Sequence, residues 1–405
     1  MFAAATSASV LFVVRLSLCS AEESFPVTLT NCGFEVTFES APERAVTMNQ
    51  AATEIMLALE LEDSMVGTAY LDDAILPEYK DAYETIPVLS ETYPPREDLL
   101  AVDPDFIYAS YSSAFGDDYA GPRENLTQLG IGSYVSPSAC ENRTLRPSVV
   151  TIEDVFGEIR DVADICGVAE TGETLTTELQ ADLDEINEDL LSYAELAHIK
   201  VFWFDSFNDN GVYVGACCGA PGMIMRLLGV TNVFEDQDGS WATVSWDDVV
   251  ASDPDVIVLV NATWDTAKEK IAKLLEPALA NMSAVKDESW VTLDFSYTTP
   301  NIRNVRAVQI LGRHLIREVF ESNDGSSSKS KSSLKKSDVI IIVVVLVVVV
   351  LCAIVVLLLY FFDCRNKAKP TNTKDVLVPL EGDADKGQEV EGVITEESKA
   401  TKGKA

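Results

Sequence analysis

Residues 42–69 read PERAVTMNQAATEIMLALELEDSMVGTA, and this stretch decides the fold class. Ala45–Met48 is a short apolar run that predicts a buried strand, and Ala51–Leu61 has the spacing of apolar residues typical of a helix. Ser64–Ala69 is a second short apolar run. A strand, a helix and a second strand in this order form one parallel α/β unit. Because open α/β sheets bind ligands beyond the carboxyl ends of their strands, the polar elbow after the first strand is a candidate binding position.

The unit has a counterpart later in the chain. EDLLAVDPDFI at residues 97–107 matches DDVVASDPDVI at residues 247–257, with an offset of 150. Each copy predicts a helix, a D-P-D turn and a buried strand, with the aspartate before proline held in an extended conformation. Between the copies, residues 171–196 carry apolar side chains at three- and four-residue steps, which predicts one long helix. We therefore predict an α/β fold with two similar lobes, mainly parallel sheets and a ligand cleft between the lobes.

The ends of the chain predict a membrane-anchored protein. Residues 339–362 contain no charge, and 24 residues are enough to cross about 30 Å of hydrocarbon. Residues 1–21 resemble a cleavable signal; the alternative, a lipoprotein signal at Cys19, is disfavoured by the large Leu18. The predicted body then lies outside a plasma membrane or inside an endomembrane lumen. The predicted segments are a signal peptide (1–21), an N-terminal α/β lobe (22–170), a linking helix (171–197), a C-terminal α/β lobe (198–320), a Ser/Lys stalk (321–338), a transmembrane helix (339–362) and a disordered cytosolic tail (363–405).

Charge and cysteines narrow the classes of function. The net charge of -35 argues against a nucleic-acid partner, which requires a basic surface, although saline surroundings also explain it. Five cysteines lie in the predicted outer body, so at most two disulfides can form there. We expect one of the adjacent Cys217 and Cys218 to pair with Cys32, Cys140 or Cys166; the alternative is that the adjacent thiols bind a metal or haem iron, or act in redox chemistry.

The candidate ligand-binding residues lie at predicted strand ends and in the loops that follow them. Aromatic rings with a few polar groups suit a bulky, partly apolar ligand. Trp203 lies within a strand, where such side chains more often point into the core, and Arg303 either pairs with an anionic group of the ligand or is a surface charge. The full set is Asn49, Gln50, Tyr70, Tyr111, Ser112, Ser113, Trp203, Asp205, Trp241, Trp264, Tyr297 and Arg303.

Other kinds of site have little support in the sequence. The chain has only two histidines, His198 and His314, so we predict no bare metal site; direct Fe³⁺ binding by tyrosines and the aspartates at 72–73 and 117–118 is the alternative. We find no G-x-S-x-G elbow, no Walker A loop and no histidine beside a Ser or Cys nucleophile. We therefore predict a binding protein that is not an enzyme, with no catalytic residue and no covalently bound cofactor.

Residues 42–69 and the two D-P-D turns resemble the substrate-binding proteins of bacterial ABC importers for ferric siderophores and cobalamin. The resemblance covers roughly residues 31–320, and with the signal and the C-terminal span the chain is similar to algal membrane-anchored ferrichrome-binding proteins. It implies a cell-surface receptor for a ferric siderophore, with the hydroxamate type favoured. The partners implied are the iron chelate, the membrane, and a permease, reductase or endocytic protein. The alternatives are a cobalamin or haem binder, and an adhesion or signalling receptor that reuses the lobes.

Overall fold

The computed structural model describes residues 25–191 and 196–317. The predicted signal peptide, stalk, transmembrane helix and cytosolic tail lie outside these residues. Among the residues described, no helix combines the length and the apolar character needed to cross a membrane.

The N-lobe begins with an antiparallel hairpin and continues as a five-stranded parallel sheet. The hairpin turns at Cys32 and Gly33, both with positive φ, as the sequence predicts. The strand order in the sheet is β5-β4-β3-β6-β7. The strands are β1 (Val27–Asn31), β2 (Phe34–Phe38), β3 (Ala45–Met48), β4 (Met65–Ala69), β5 (Val88–Ser90), β6 (Phe106–Ala109) and β7 (Gly132–Val135), and the helices are α1 (Gln50–Ala58), α2 (Lys80–Tyr83), α3 (Arg96–Ala101) and α4 (Arg123–Gln128).

The first βαβ unit forms where residues 42–69 predict it. Every residue of β3 and β6 is buried, which is why these strands are continuous apolar runs instead of alternating ones. Thr47 pairs with Thr68 on one side and with Tyr108 on the other, both in parallel register. The unit therefore lies at the centre of its sheet.

Two helices connect the lobes. α5 (Ile152–Ile165) begins with a capping box formed by Thr151 and Asp154. α6 (Ala169–Leu190) is the predicted long helix; it begins two residues earlier than Thr171, and residues 192–195 are not described. A Cβ atom on Gly172 would lie 2.5 Å from Cβ of Ala163, so this glycine allows α5 and α6 to pack closely.

The C-lobe contains a mixed sheet with the order β11-β9-β8-β12-β13, and β10 pairs with β8. Strands β8, β10, β12 and β13 are parallel, whereas β8, β9 and β11 pair antiparallel. The strands are β8 (Lys200–Asn208), β9 (Gly211–Gly215), β10 (Thr231–Asn232), β11 (Trp241–Val244), β12 (Val256–Asn261) and β13 (Trp290–Asp294), and the helices are α7 (Ala220–Leu227), α8 (Trp246–Ser252), α9 (Ala267–Leu274), α10 (Ser283–Lys286) and α11 (Arg303–His314).

The apolar run at residues 200–204 predicts a strand that ends there and a loop over residues 205–219, and this prediction is wrong for the first part of the loop. β8 continues to Asn208, and the chain returns as β9 with Asn208 paired to Gly211. Asn210-Gly211 between alternating apolar residues is a strong hairpin signal, since the glycine accepts the φ of 140° found there. The wall of the C-lobe is therefore built on strands instead of a loop.

The D-P-D repeat is also a repeat in three dimensions. Asp103 and Asp253 have φ values of 51° and 41°, so the prediction of extended backbone is wrong and each aspartate ends its helix in the left-handed conformation. Arg44 Nε donates to the Asp103 carbonyl at 2.7 Å, and Lys200 Nζ donates to the Asp253 carbonyl.

The third residue of each D-P-D turn completes the same arrangement. The Asp105 carboxylate accepts from the backbone N–H of Arg44 at 2.9 Å, and the Asp255 carboxylate accepts from that of Lys200 at 2.8 Å. We call this set of contacts the D-P-D clamp. It joins β3 to β6 in the N-lobe and β8 to β12 in the C-lobe, at the amino ends of these strands.

Candidate functional site

A cleft of about 1000 Å³ lies between the two lobes. It is formed where the chain leaves the carboxyl ends of β6, β7 and β13, together with the hairpin β8–β9 and strand β11, which is where an α/β sheet binds its ligand. The residues of its walls that enter the argument below are Tyr111, Ser112, Ser113, Arg143, Arg146, Val150, Asp205, Tyr213, Cys218, Asp238, Trp241, Phe295 and Thr299.

Five of the predicted site residues line this cleft: Tyr111, Ser112, Ser113, Asp205 and Trp241. The first three follow β6, where the sequence places them. Tyr111 of the N-lobe and Thr299 of the C-lobe both line the cleft, so each lobe contributes a hydroxyl group to its walls. Burial raises the pKa of Tyr111, and the phenol is therefore neutral at physiological pH.

An aromatic platform forms the C-lobe wall. Trp241 on β11 stacks on Tyr213 on β9, with ring centroids 5.8 Å apart and an interplanar angle of 15°. Tyr213 is 40% exposed, so a flat apolar surface faces the cavity. Tyr213 was not predicted, because its position beside Trp241 depends on the pairing of β9 with β11. Trp264, at 62% exposure, lies at the rim and packs edge-on against Phe295 at 5.2 Å.

Two predicted ligand residues are buried away from the cleft. Trp203 is fully buried in β8, so its alternative assignment to the core is the correct one. Arg303 is only 3% exposed and is neither a ligand contact nor a surface charge. Its Nε donates to Glu54 at 2.6 Å, and its Nη groups donate to Glu54, to the Ala74 carbonyl and to Ser296. Because Glu54 is on α1 and Arg303 is on α11, the ion pair joins the lobes.

The polar elbow after β3 is also structural. Asn49 and Gln50 are 3% and 4% exposed, so the prediction that they meet the ligand is wrong. Asn49 accepts a hydrogen bond from the Tyr93 hydroxyl at 3.0 Å, and Gln50 donates to Glu54 at 3.0 Å. Buried amides need such partners, and here all of them come from the protein.

Tyr70 and Tyr297 also lie outside the cleft lining. The Tyr70 ring packs within the N-lobe against that of Tyr93 at 4.8 Å. The Tyr297 ring lies 5.2 Å from the guanidinium of Arg303, beside the ion pair that joins the lobes.

The charges of the cleft come from residues of both lobes. Burial raises the pKa of Asp205 to about 6, an effect reduced by the hydrogen bond with Ser206 and by nearby Lys270. Arg143 and Arg146 line the N-lobe wall and were not predicted. The signal was available, since both lie in the long loop that follows the strand Gly132–Val135.

Two disulfides hold loops around the cleft. Cys32 pairs with Cys140, which ties the β1–β2 turn to the loop after β7. Cys217 pairs with its neighbour Cys218, so the expectation that one of them joins a distant cysteine is wrong. Cys218 lines the cleft, and its carbonyl accepts from the Val150 N–H at 2.8 Å. Cys166 is buried and belongs to neither disulfide.

No group of three or more His, Cys, Asp or Glu side chains within residues 25–191 and 196–317 is placed to hold a metal ion. The walls of the cleft combine aromatic and polar side chains.

Comparison with known proteins places the chain in a family. The family model described as "Periplasmic binding protein" matches residues 46–297. A periplasmic binding protein from Veillonella parvula is 27% identical with a TM-score of 0.62, over 71% of this chain and 97% of that one. An ABC-type Fe³⁺-hydroxamate transport system structure from Saccharomonospora viridis is 25% identical with a TM-score of 0.58, over 72% and 99%.

A curated relative gives a similar picture. The vitamin B12-binding protein of Pectobacterium atrosepticum is 23% identical over 266 residues, which are 64% of this chain and 85% of that protein. The family consists of substrate-binding proteins of ABC transporters, and its members bind small molecules. This chain belongs to the periplasmic binding protein family.

Proposed function

We propose that the chain is a receptor that captures a ferric siderophore, with the hydroxamate type favoured, in the interlobe cleft as a step in iron uptake. The observation that carries this proposal is the open cleft of about 1000 Å³ with the Trp241–Tyr213 platform on one wall. Its volume is at the upper end of the range of small-molecule sites, about 300–1000 Å³, and thus suits a bulky ligand. The likeness to the Fe³⁺-hydroxamate transport structure from Saccharomonospora viridis supports the same ligand class.

We further propose that residues 339–362 anchor this receptor in a plasma membrane or endomembrane, with the lobes on the outer or lumenal side. Their uncharged composition supports a span. The two disulfides of the described residues suit an oxidising compartment. The captured chelate then passes to a permease, a reductase or an endocytic protein.

The experiment is a titration of the full-length chain in detergent with ferrichrome and with ferrioxamine B. We expect saturable quenching of tryptophan fluorescence with one site per chain, and native mass spectrometry should show the matching mass increase. The iron-free form of each siderophore is the control, because it lacks the folded ferric centre. Absence of saturable binding to either ferric chelate contradicts the proposal.

Cobalamin is the second candidate, because the relative from Pectobacterium is a vitamin B12-binding protein and aligns over 85% of its own length. Cyanocobalamin and haemin, added as competitors in the same titration, separate these ligands from the siderophores. An adhesion or signalling receptor predicts a cleft filled by side chains, and the open cavity between the lobes favours a small molecule instead.

A further inference from the structure

Two arginines distinguish the N-lobe wall of the cleft. Arg143 and Arg146 both line the cavity. Neither forms an ion pair with a side chain in the described part of the chain. Arg143 is exposed, and the half-buried Arg146 donates its Nε to the Cys140 carbonyl at 2.6 Å. Each guanidinium therefore keeps donors that can bind a ligand.

The loop that carries these arginines is held in place from several sides. The Cys32–Cys140 disulfide fixes its start. Asn142 Oδ1 accepts from both the N–H and the hydroxyl of Thr144, at 3.1 and 2.8 Å. Its end is fixed where the Val150 N–H donates to the Cys218 carbonyl. Because the loop is already ordered, it loses little conformational entropy when a ligand binds to these arginines.

The acidic side chains on the opposite wall are weaker charges. Asp238 is exposed to solvent, which screens it. Burial raises the pKa of Asp205 to about 6, so its carboxylate becomes protonated as the pH falls below neutrality. The guanidinium groups, in contrast, stay charged at every physiological pH. The negative field of the whole chain acts at longer range and is screened beyond about 8–10 Å in physiological salt.

We propose that Arg143 and Arg146 select ferric chelates that carry a peripheral anionic group, such as a carboxylate, in addition to their chelating core. A carboxylate accepts two parallel hydrogen bonds from one guanidinium, and this geometry gives direction as well as charge. The proposal rests on the proposed function and refines its ligand class. The positive charge of the site then comes from Arg143 and Arg146 instead of Arg303, because Arg303 forms an ion pair with Glu54.

The test uses three ferric chelates that share one core and carry a positive, a neutral or a negative terminal group. They are ferrioxamine B with its free amine, its N-acetyl derivative and its N-succinyl derivative, so the terminal group changes in size as well as in charge, and the acetyl form controls for acylation. We expect the succinyl form to bind full-length protein at least tenfold more tightly than the amine form at low salt, about 1.4 kcal/mol. The difference should shrink as salt is added.

Variants assign the preference to the two arginines. Arg143→Gln, which breaks no ion pair of the described residues, and the double variant with Arg146→Gln should lower affinity for the succinyl form and leave that for the acetyl form within about threefold. Arg313→Gln, on the exposed side of α11 and outside the cleft lining, is the matched control and should change nothing.

The outcomes separate this proposal from the proposed function. Equal affinities for the three chelates, or tightest binding of the amine form, overturn the anionic preference and leave siderophore capture standing. A succinyl preference that survives in the double variant overturns the role of the arginines. No binding of any of the three contradicts siderophore capture, and the anionic preference falls with it.

Discussion

Trp241 is the residue best placed to sense a bound ligand, because it is the only one of the five tryptophans that lines the cleft. We predict that Trp241→Phe removes most of the ligand-induced fluorescence quenching while keeping an aromatic ring on Tyr213. Trp241→Ala should in addition weaken binding by roughly tenfold, since an aromatic contact contributes about 0.5–1.5 kcal/mol beyond its buried area. Fluorescence titration measures both effects.

Trp290 supplies the control for that experiment. It is the first residue of β13, at the amino end of the strand, whereas the cleft lies beyond the carboxyl end. Trp290→Phe should leave the quenching amplitude and the affinity unchanged. Equal loss of quenching in the two variants would show that the ligand does not contact the platform.

Glu158 gives the fold a pH dependence that can be measured at one residue. Burial raises its pKa from 4.5 to about 7, although the hydroxyls of Tyr108 and Ser136 donate to its carboxylate at 2.6 and 2.7 Å. Between these pH values the folded chain holds a proton that the unfolded chain has lost. The stability from this group is therefore complete below about pH 4.5 and is lost as the pH rises through 7.

We predict that Glu158→Gln flattens this part of the stability curve. The difference in unfolding free energy between wild type and variant should shift by at most about 1.4 kcal/mol per pH unit between pH 5 and 7. Denaturant unfolding at several pH values measures it. Glu153→Gln, at an exposed position on the same helix, is the control, and its curve of unfolding free energy against pH should run parallel to that of the wild type. A parallel curve for Glu158→Gln would contradict the assignment of the pH dependence to Glu158.

For single residues, the sequence predicts the position along a strand better than it predicts which other side chains a residue contacts. Tyr111 and Asp205 were identified because each lies near the carboxyl end of a strand. Arg303 and Gln50 satisfy the same local criterion, yet both are bound to Glu54. Since Glu54 and Arg303 are 249 residues apart, no local pattern reveals that the guanidinium is already neutralised.

Among the elements, the loop after β7 depends on a long covalent link. The Cys32–Cys140 disulfide spans 108 residues, and a link across so long a segment restricts the unfolded chain strongly. We predict that the double variant Cys32→Ser/Cys140→Ser loses about 2–5 kcal/mol of unfolding free energy. Chemical denaturation without reductant measures the loss.

The second disulfide is a matched control within the same chain. Cys217 and Cys218 are adjacent, so their bond closes almost no chain and restricts the unfolded state little. Cys217→Ser/Cys218→Ser should therefore cost much less stability than the first double variant. An equal loss in both would contradict the chain-entropy explanation.

Helices and parallel strands were predicted well because their signals are local. The apolar run of Ala45–Met48 and the spacing along α6 need no knowledge of the rest of the chain. The hairpin β8–β9 was missed although Asn210-Gly211 marks its turn, because the preceding strand was assumed to end where the apolar run ends. The left-handed Asp103 and Asp253 were missed since the bias before proline was applied without the carbonyl contacts from Arg44 and Lys200.

For the molecule as a whole, the Glu54–Arg303 pair is the central contact between lobes. Both side chains are almost fully buried, at 1% and 3% exposure. Removing one partner leaves an uncompensated buried charge, which typically costs 3–5 kcal/mol. We predict that Glu54→Gln lowers the unfolding free energy by about this amount, measured by denaturant or thermal unfolding.

Another ion pair between the same regions provides the comparison. Glu78 and Arg306 are 41% and 43% exposed, and exposed pairs contribute only about 0–1 kcal/mol. Glu78→Gln should therefore leave stability almost unchanged. Equal losses for the two variants would show that burial of the first pair does not set its contribution.

The D-P-D clamp has a consequence for the history of the molecule. A basic side chain, a left-handed aspartate and a carboxylate that accepts from the backbone occur in each half, as expected if an ancestral half-length gene was duplicated and fused. The clamp is shared by the two halves, whereas the sheet is wholly parallel in one half and includes the β8–β9 hairpin, followed by the Cys217–Cys218 disulfide, in the other. Paralogues that carry different cargo should therefore differ first in residues 138–148 and 205–219 and should retain both clamps.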